Sequence, residues 1–365
     1  MINIALVGDL VLDEPDADYW LSGIAPALRA ADLAIGHLEV PHADGVEVAG
    51  DVPAPGAPAA NVAAIARAGI TMVSMAGNHM ADCGPDGIAG TIDLLDAAGI
   101  AHTGAGADLP AARRPAIALA GGRRIALLSY NCVGPEFGWA GPARPGCAFL
   151  PVGTRDGSPV TPRADLAGIL PIAREILEED VAAARSQADF VIVALHQGRV
   201  HTPAAIMDYE LEAARAAIDA GADAVVAHHA HIVRGISRYR GKPVFHGLGN
   251  GCVVTRALSP DQDHPARAEW AKRRQQMFGF IPDPAYTLAP FHPEAVNAFV
   301  GRLLLGEDGQ VDLAIEPVHV EPPGRPVLAS AQQAPAIARY VESITLAAGL
   351  PPIAITPDYR VCEVA

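Results

Sequence analysis

The sequence predicts an α/β fold, and three observations lead to that class. Short apolar, β-branched runs alternate along the chain with Ala-rich stretches of helical length. Two of the helical stretches end in the same phrase, Ala-Gly-Ile at 68–70 and 98–100, where the glycine suits a left-handed helix C-cap and a strand follows. The segment 220–223 introduces a third strand in the same way. This order of helix, glycine cap and buried strand is typical of α/β architecture.

The predicted elements run from the first residues to position 277. Candidate strands cover 2–7, 32–38, 71–75, 115–119, 124–130, 189–195, 223–227 and 243–247. Candidate helices cover 58–69, 86–98, 164–186, 207–220 and 264–277. We find no repeat array or low-complexity linker, so we expect residues 1–365 to form a single domain with insertions near 133–162 and 259–293. The first insertion has the length of a functional lid or a disordered loop, and the second lies either near a site entrance or on the plain surface.

Composition argues against several classes of function. The chain has 41 acidic and 26 basic side chains and a formal net charge of −15, which disfavours nucleic-acid binding. Its five cysteines are scattered and form no Cys-x-x-Cys, as expected in a reducing compartment. The start shows no signal-peptide pattern, and no uncharged apolar run is long enough to span a bilayer. We therefore expect a cytoplasmic protein that binds neither nucleic acid nor membrane, and we leave homo-oligomerisation open.

Polar side chains with metal-binding chemistry follow several of the predicted strands. Taken alone, each has a plainer explanation as a turn residue, a surface residue or a hydrogen-bonded structural histidine. These residues are Asp9, His37, Glu39, Asn78 and His196. Because the carboxyl ends of strands in a doubly wound sheet converge on one edge, one shared site explains the pattern better than independent coincidences.

The segment His228-His229-Ala230-His231 gives the strongest single indication of a metal. It follows the apolar run 224–227, and packing does not readily explain three histidines in four residues. Neutral imidazole is a frequent ligand for zinc, manganese and iron. The alternation of His229 and His231 places two rings on one side. We therefore count these two as ligands and expect His228 to face away and stabilise the loop.

The order of these motifs resembles that of the CapA family of capsule-synthesis proteins, a branch of the calcineurin-like metallophosphoesterase superfamily. The motifs that carry the resemblance are Gly8-Asp9, His37-Leu38-Glu39, Gly77-Asn78-His79, His196-Gln197-Gly198, His228-His229-Ala230-His231 and Leu248-Gly249-Asn250. The segment 78–84, followed by Thr91 and by 104–106, is similar to a further family pattern. The resemblance covers about residues 2–255. It implies a four-layer α/β/β/α metallophosphatase-like sandwich.

The resemblance also implies a centre of two divalent metal ions, for which manganese, zinc and iron are equally suitable. The ligands implied are Asp9 and His231 for the first ion, Asn78, His196 and His229 for the second, and Glu39 as a bridge between them.

Two departures from the family pattern concern the first ion. The superfamily usually has Asp-x-His in its first motif, whereas Asp9 is followed by Leu10 and Val11. The CapA pattern usually reads Asn-Leu-Glu where this chain has His37. We hypothesise that His37 supplies the missing imidazole. A single-metal enzyme is the alternative.

The predicted function is a metal-dependent hydrolase in which a metal-bound hydroxide attacks a small-molecule phosphoester, ester, lactone or amide. The resemblance implies that His79 is the acid/base beside the metals. Asp82 either orients His79 or caps the following helix.

Three further residues lie close in sequence to the ligand motifs. Arg199, His201 and Arg234 are therefore candidate substrate anchors, with a plain surface role as the alternative for each. The alternative function for the whole chain is a non-catalytic binding module related to poly-γ-glutamate and the capsule.

Overall fold

The computed structural model describes most of the chain. The described residues are 1–44, 56–256, 269, 272, 273, 276, 278–281, 283–288 and 291–364. Among them, the strands are β1 (Ile2–Leu12), β2 (Leu33–Leu38), β3 (Met72–Ser74), β4 (Ala101–Thr103), β5 (Ala105–Gly106), β6 (Ala116–Ala120), β7 (Arg123–Asn131), β8 (Gly146–Cys147), β9 (Val152–Thr154), β10 (Leu166–Ile169), β11 (Phe190–His196), β12 (Ala224–His228), β13 (Ile236–Tyr239), β14 (Lys242–Phe245), β15 (Asn250–Val254), β16 (Asn297–Leu305), β17 (Val311–Glu321), β18 (Arg325–Leu328), β19 (Ile353–Ile355) and β20 (Arg360–Glu363). The α-helices are α1 (Ala17–Leu21), α2 (Ala25–Arg29), α3 (Asn61–Ala68), α4 (Gly84–Ala98), α5 (Leu109–Ala112), α6 (Pro171–Arg185), α7 (Asp208–Asp219) and α8 (Ala334–Ala347). Short 3₁₀ turns cover Glu136–Gly138 and Pro293–Val296.

Two mixed sheets carry the fold. The first sheet has the order β19-β20-β17-β16-β1-β2-β3-β4, with β15 also paired to β1 and β18 to β17. The second sheet has the order β13-β14-β12-β11-β7-β6. Within the first sheet β15, β1, β2, β3 and β4 are parallel, and within the second β7, β11, β12 and β14 are parallel. Each sheet therefore presents a row of strand carboxyl ends along one edge.

The two sheets pack face to face between outer layers of helix. Successive residues of a strand point to opposite faces, so Leu127 and Leu128 of β7 enter different cores. Leu127 joins the core that the two sheets share, in which Phe245 of β14 lies 6.1 Å from Phe299 of β16, ring centroid to centroid. Leu128 joins the core under α6 and α7, with Leu177 and Ala213. The predicted four-layer α/β/β/α arrangement is confirmed.

Most of the predicted elements are present with small shifts at their ends. Residues 164–186, predicted as one helix, instead form β10 followed by α6, which begins at Pro171 because proline suits the first turn of a helix. Residues 269, 272, 273 and 276 of the predicted helix 264–277 are helical, and the rest of that helix lies outside the described residues, as does about half of the predicted insertion 259–293. The sequence predicted no element after 277, yet β16–β20 form one side of the first sheet. None of the described helices has the length and apolar composition needed to cross a bilayer.

Candidate metal centre

Strand ends from both sheets, together with Asp9, bring polar side chains to one buried cluster. Asp9 was predicted to follow a strand at 2–7, but β1 continues to Leu12 and Asp9 lies within it. In the first sheet Asp9 of β1 pairs in register with His37 of β2, and Glu39 follows that strand. In the second sheet His196, the last residue of β11, pairs with His228, the last residue of β12. The sheets meet here, since the His37 ring lies 4.5 Å from the His228 ring and 4.6 Å from the His196 ring, centroid to centroid.

The backbone around Gly8 brings Asp9 into this cluster. The pairing of β1 is irregular on both sides of Asp9. A Cβ atom on Gly8 would lie 1.9 Å from the carbonyl oxygen of Gly249, so only glycine permits the close approach of the two segments. The Asp9 amide donates a hydrogen bond to that same carbonyl at 2.9 Å. Asp9 is thereby held beside the loop that leads into β15.

Asn78, His196 and His229 form one half of the cluster, which we call the amide half. Asn78 Oδ1 lies 2.6 Å from His196 Nε2 and 3.2 Å from His229 Nδ1. The two imidazole nitrogens are 3.2 Å apart. Burial lowers the pKa of His229 to about 3 and the pKa of His196 well below its usual value. Both rings are therefore neutral near pH 7 and offer lone pairs to a cation.

Asp9, Glu39 and His231 form the other half, which we call the carboxylate half. His231 Nε2 lies 3.3 Å from Glu39 Oε1, and His231 Nδ1 lies 3.4 Å from Asp9 Oδ2. Burial opposes the charge on His231, but Glu39 and Asp9 outweigh it and raise its pKa to about 9. Burial and the charge of Glu39 raise the pKa of Asp9 well above its usual value. This half therefore holds protons when no cation is bound.

The donor atoms fit a divalent metal centre. Three groups have their ligand atoms within 4.8 Å of one another: Asp9–His37–His196, Glu39–His196–His229 and Asp9–Glu39–His231. Among the described residues, His37 Nε2, Glu39 Oε2 and His229 Nε2 are buried without a hydrogen-bond partner. Buried polar atoms without partners are costly, and coordination to a cation would satisfy them. Mixed oxygen and imidazole ligands suit manganese, zinc or iron.

The loop after β12 is strained where it presents its histidines. His229 has φ 88° and His231 has φ 53°, a region that residues other than glycine rarely adopt. The expectation that His228 faces away is wrong. Its ring is buried and stacks on His37 at an interplanar angle of 16°, and its Nδ1 lies 3.7 Å from Asp9 Oδ1. It belongs to none of the three ligand groups.

His79 lies beside the ligand Asn78 and carries its own carboxylate partner. His79 Nδ1 is 2.6 Å from Asp82 Oδ2, with the His79 side chain 23% exposed and the Asp82 side chain 5% exposed. Burial opposes protonation, but Asp82 outweighs it and raises the pKa of His79 to about 9. Asp82 was predicted either to orient His79 or to cap the following helix. It forms the hydrogen bond with His79, whereas the N-cap residue of α4 is Cys83.

The three predicted substrate anchors lie in two different environments. Arg199 is exposed and His201 is buried, and both line a cavity of about 250 Å³. The His201 ring lies 6.1 Å from the His231 ring, which places the cavity next to the carboxylate half.

The prediction that Arg234 is a substrate anchor is wrong. Arg234 is fully buried and forms an ion pair with the equally buried Glu210, so it cannot reach a substrate in the cavity. The sequence analysis also missed a role for Asn250, whose Oδ1 lies 3.0 Å from His231 Nδ1. The Leu-Gly-Asn motif at 248–250, one of those that carry the family resemblance, could have indicated this role.

Comparisons with known proteins place the chain among capsule-related proteins. Residues 3–253 match the family model described as bacterial capsule synthesis protein PGA_cap. A probable polyglutamine synthesis accessory protein of Mycobacterium tuberculosis is 32% identical over 197 residues, which are 52% of this chain and 47% of that protein. The PGA biosynthesis protein CapA of Bacillus subtilis is 25% identical over 262 residues, which are 68% of this chain and 63% of that protein. The chain thus spans about half the length of the first relative and less than two thirds of the second.

A solved structure is also similar to the chain. A calcineurin-like phosphoesterase from Bacillus subtilis aligns with a TM-score of 0.41 and 13% identity, covering 94% of this chain and 97% of that chain.

Proposed function

Since the chain belongs to the bacterial capsule synthesis protein PGA_cap family, we propose that its buried cluster makes it a divalent-metal-dependent hydrolase of a small molecule. The observation that carries the proposal is the convergence of carboxylate and imidazole ligand atoms from both sheets, in groups within 4.8 Å. The Asn78 amide oxygen lies beside two of the imidazoles, 2.6 Å from His196 Nε2 and 3.2 Å from His229 Nδ1. A purely structural cluster has no need of so many buried polar atoms without partners.

Each half of the cluster would hold one cation. The cation in the carboxylate half would be bound by Asp9 and His231, and the cation in the amide half by Asn78, His196 and His229. Glu39 would contribute to both, since it belongs to two of the three ligand groups. When bound there, divalent cations would supply Lewis-acid chemistry, which polarises the bond to be cleaved and lowers the pKa of water.

His79 would supply the proton that the leaving group needs. Asp82 accepts the hydrogen bond of His79 Nδ1 at 2.6 Å, which leaves Nε2 to donate a proton. Because the pKa of His79 is raised to about 9, by Asp82 against the opposing effect of burial, the ring is protonated near neutral pH. General acid catalysis of this kind typically contributes about 10²–10⁴-fold to the rate.

The cavity beside His201 favours a small substrate that carries a negative charge. Its volume of about 250 Å³ is below the roughly 300–1,000 Å³ of pockets for drug-sized ligands. Arg163 and Arg199 line it, and within the described part of the chain neither guanidinium is paired with a carboxylate. Asp165 also lines it but lies 3.4 Å from Arg155, which offsets its charge. The cavity lining therefore carries a net positive charge although the chain as a whole is acidic, which favours an anionic substrate.

The proposal is tested by loading the protein with manganese, zinc or iron and assaying a panel of phosphoesters, esters, lactones and amides. We expect turnover of at least one class, abolished by a chelator and restored by the metal. If metal-replete protein turns over no class, the hydrolase proposal is wrong.

Substitution Arg199→Gln tests the charged cavity. With paired substrates that differ only in a terminal carboxylate, we expect KM for the anionic one to rise about 2- to 5-fold, as befits an exposed charge pair, and KM for the neutral one to stay. The matched control is Arg124→Gln, an exposed arginine near the amino end of β7, far from the strand ends that form the cluster. Equal KM changes for both substrates would contradict an anionic substrate.

A second candidate function is a non-catalytic polyglutamate-binding module, favoured by the names of the Mycobacterium tuberculosis and Bacillus subtilis relatives. Substitution His79→Ala separates the two functions. The hydrolase predicts a loss of about 10²–10⁴-fold in kcat with unchanged metal content. The binding module predicts no turnover by the parent protein and unchanged binding of polyglutamate by the variant.

A further inference from the structure

A buried ion pair lies beside the loops that carry the candidate metal centre. Arg234 Nη1 contacts Glu210 Oε2, and Arg234 Nη2 lies 3.4 Å from Glu210 Oε1. Both side chains are 0% exposed. Neither residue belongs to a ligand group or lines the cavity beside His201. The pair therefore needs an explanation that does not involve contact with a substrate.

The pair contacts each of three loops that carry the site. Arg234 itself lies three residues after His231, and its amide donates to the carbonyl of Gly247 at 3.0 Å. Gly198 lies two residues after His196, and a Cβ there would be 2.5 Å from Arg234 Nη1. A Cβ on Gly247 would be 2.8 Å from the Arg234 side chain. Gly198 thus makes room for the guanidinium of Arg234, and Gly247 makes room for its aliphatic stem.

Glu210 ties the same loops to helix α7. Its Oε1 accepts the amide of Met207 at 2.8 Å, and its backbone carbonyl accepts from the Gln197 side chain at 3.4 Å. The neighbouring Tyr209 hydroxyl accepts the amide of Gly198 at 2.7 Å. The Glu210 carboxylate therefore joins the start of α7 to Arg234, while the Glu210 backbone carbonyl and the Tyr209 hydroxyl hold the segment after β11.

A buried ion pair is a poor way to stabilise a core, because apolar residues of similar volume often serve equally well or better. What a planar guanidinium adds is a fixed geometry that matches a carboxylate. This argues for a role in geometry rather than in stability alone.

We propose that Arg234 and Glu210 are positioning residues that hold the His196 and His229–His231 loops at the spacing needed for metal binding. The inference rests on the proposed metal centre. It assigns a specific task to two residues that touch neither cation nor substrate.

The test measures Co²⁺ binding, by titration and by visible absorption, in the full chain and in three variants. Glu210→Gln and Arg234→Met each leave a buried charge unpaired. The double variant removes both charges, so its thermal midpoint should recover relative to the single variants. We expect the double variant to bind Co²⁺ about 10- to 100-fold more weakly than the parent, with an altered absorption spectrum, because removal of groups that orient ligands costs that much in affinity.

The matched control is another buried arginine paired with a glutamate, Arg302 with Glu316, on β16 and β17 of the first sheet. Arg302→Met with Glu316→Gln should leave Co²⁺ affinity and spectrum as in the parent. A folded Arg234/Glu210 double variant with the parent's affinity and spectrum would overturn the inference, as would an equal loss in the control. A parent that binds no Co²⁺ would instead overturn the proposed metal centre, and the inference with it.

Discussion

The amide half and the carboxylate half of the cluster differ in charge, although Glu39 of the carboxylate half also lies within ligand distance of His196 and His229. In the amide half, burial keeps the imidazoles neutral, with the pKa of His229 lowered to about 3. In the carboxylate half, two buried acids surround His231, and its pKa is raised to about 9 against the effect of burial. The amide half is thus ready for a cation, whereas the carboxylate half must first release a proton. If each half holds one cation, as proposed above, the two cations would therefore not bind together as the pH changes.

Removing the shared carboxylate should have the largest effect. In Glu39→Gln we expect metal content to fall from about two equivalents to less than one and turnover to reach background, because both halves lose an anionic ligand. Elemental analysis and the substrate panel measure the two outcomes. Loss of one ion with the other fully retained would show that Glu39 serves only one half.

Acidification should separate the two halves. Below the pKa of His231, a cation in the carboxylate half must displace a proton, so its affinity should fall about tenfold for each pH unit. The amide half should hold its affinity, since the pKa of His229 is already far below this range. At limiting free Mn²⁺, we expect about two bound ions near pH 8.5 and about one near pH 6.

The pH experiment has its control in His231→Gln, which removes both a proposed ligand of the carboxylate half and the proton that competes with the cation there. This variant should bind one ion at both pH values. Parallel loss of both ions in the parent on acidification would show that the two halves do not differ as described.

A smaller effect should follow from His37→Ala. His37 Nε2 is buried without a partner among the described residues, and its ring belongs to the group with Asp9 and His196. We expect about a tenfold loss of metal affinity by calorimetry. His42→Ala is the matched control, since His42 is also 0% exposed but belongs to no ligand group. Full metal content and full activity in His37→Ala would show that His37 supplies no imidazole.

The sequence predicted the site best where local pattern determines structure. A polar residue directly after an apolar run was expected at a strand end, and this holds for His196 and His229. Asp9 was expected to follow a strand at 2–7 but lies inside β1, where the pairing of that strand is irregular. His37 and Glu39 could likewise be placed on one face, because they are two residues apart at the end of a strand.

Residues whose role depends on distant partners were predicted poorly. Arg234 looked like a substrate anchor, but its partner Glu210 lies 24 positions earlier, and nothing near Arg234 in sequence shows that it is buried. His228 was expected to face away, but it stacks on His37. This contact depends on how the two sheets meet, which the local sequence does not show. The strand Asn297–Leu305 was missed although its run is strongly apolar.

The most direct test of the metal centre is anomalous diffraction from crystals grown with Mn²⁺. We expect two peaks in the cluster, about 3.5–4 Å apart as in two-metal sites, with Glu39 between them. One peak should lie against Asn78, His196 and His229, and the other against Asp9 and His231. Crystals grown with Mn²⁺ that show no anomalous peak against any of these side chains would contradict the proposed metal centre.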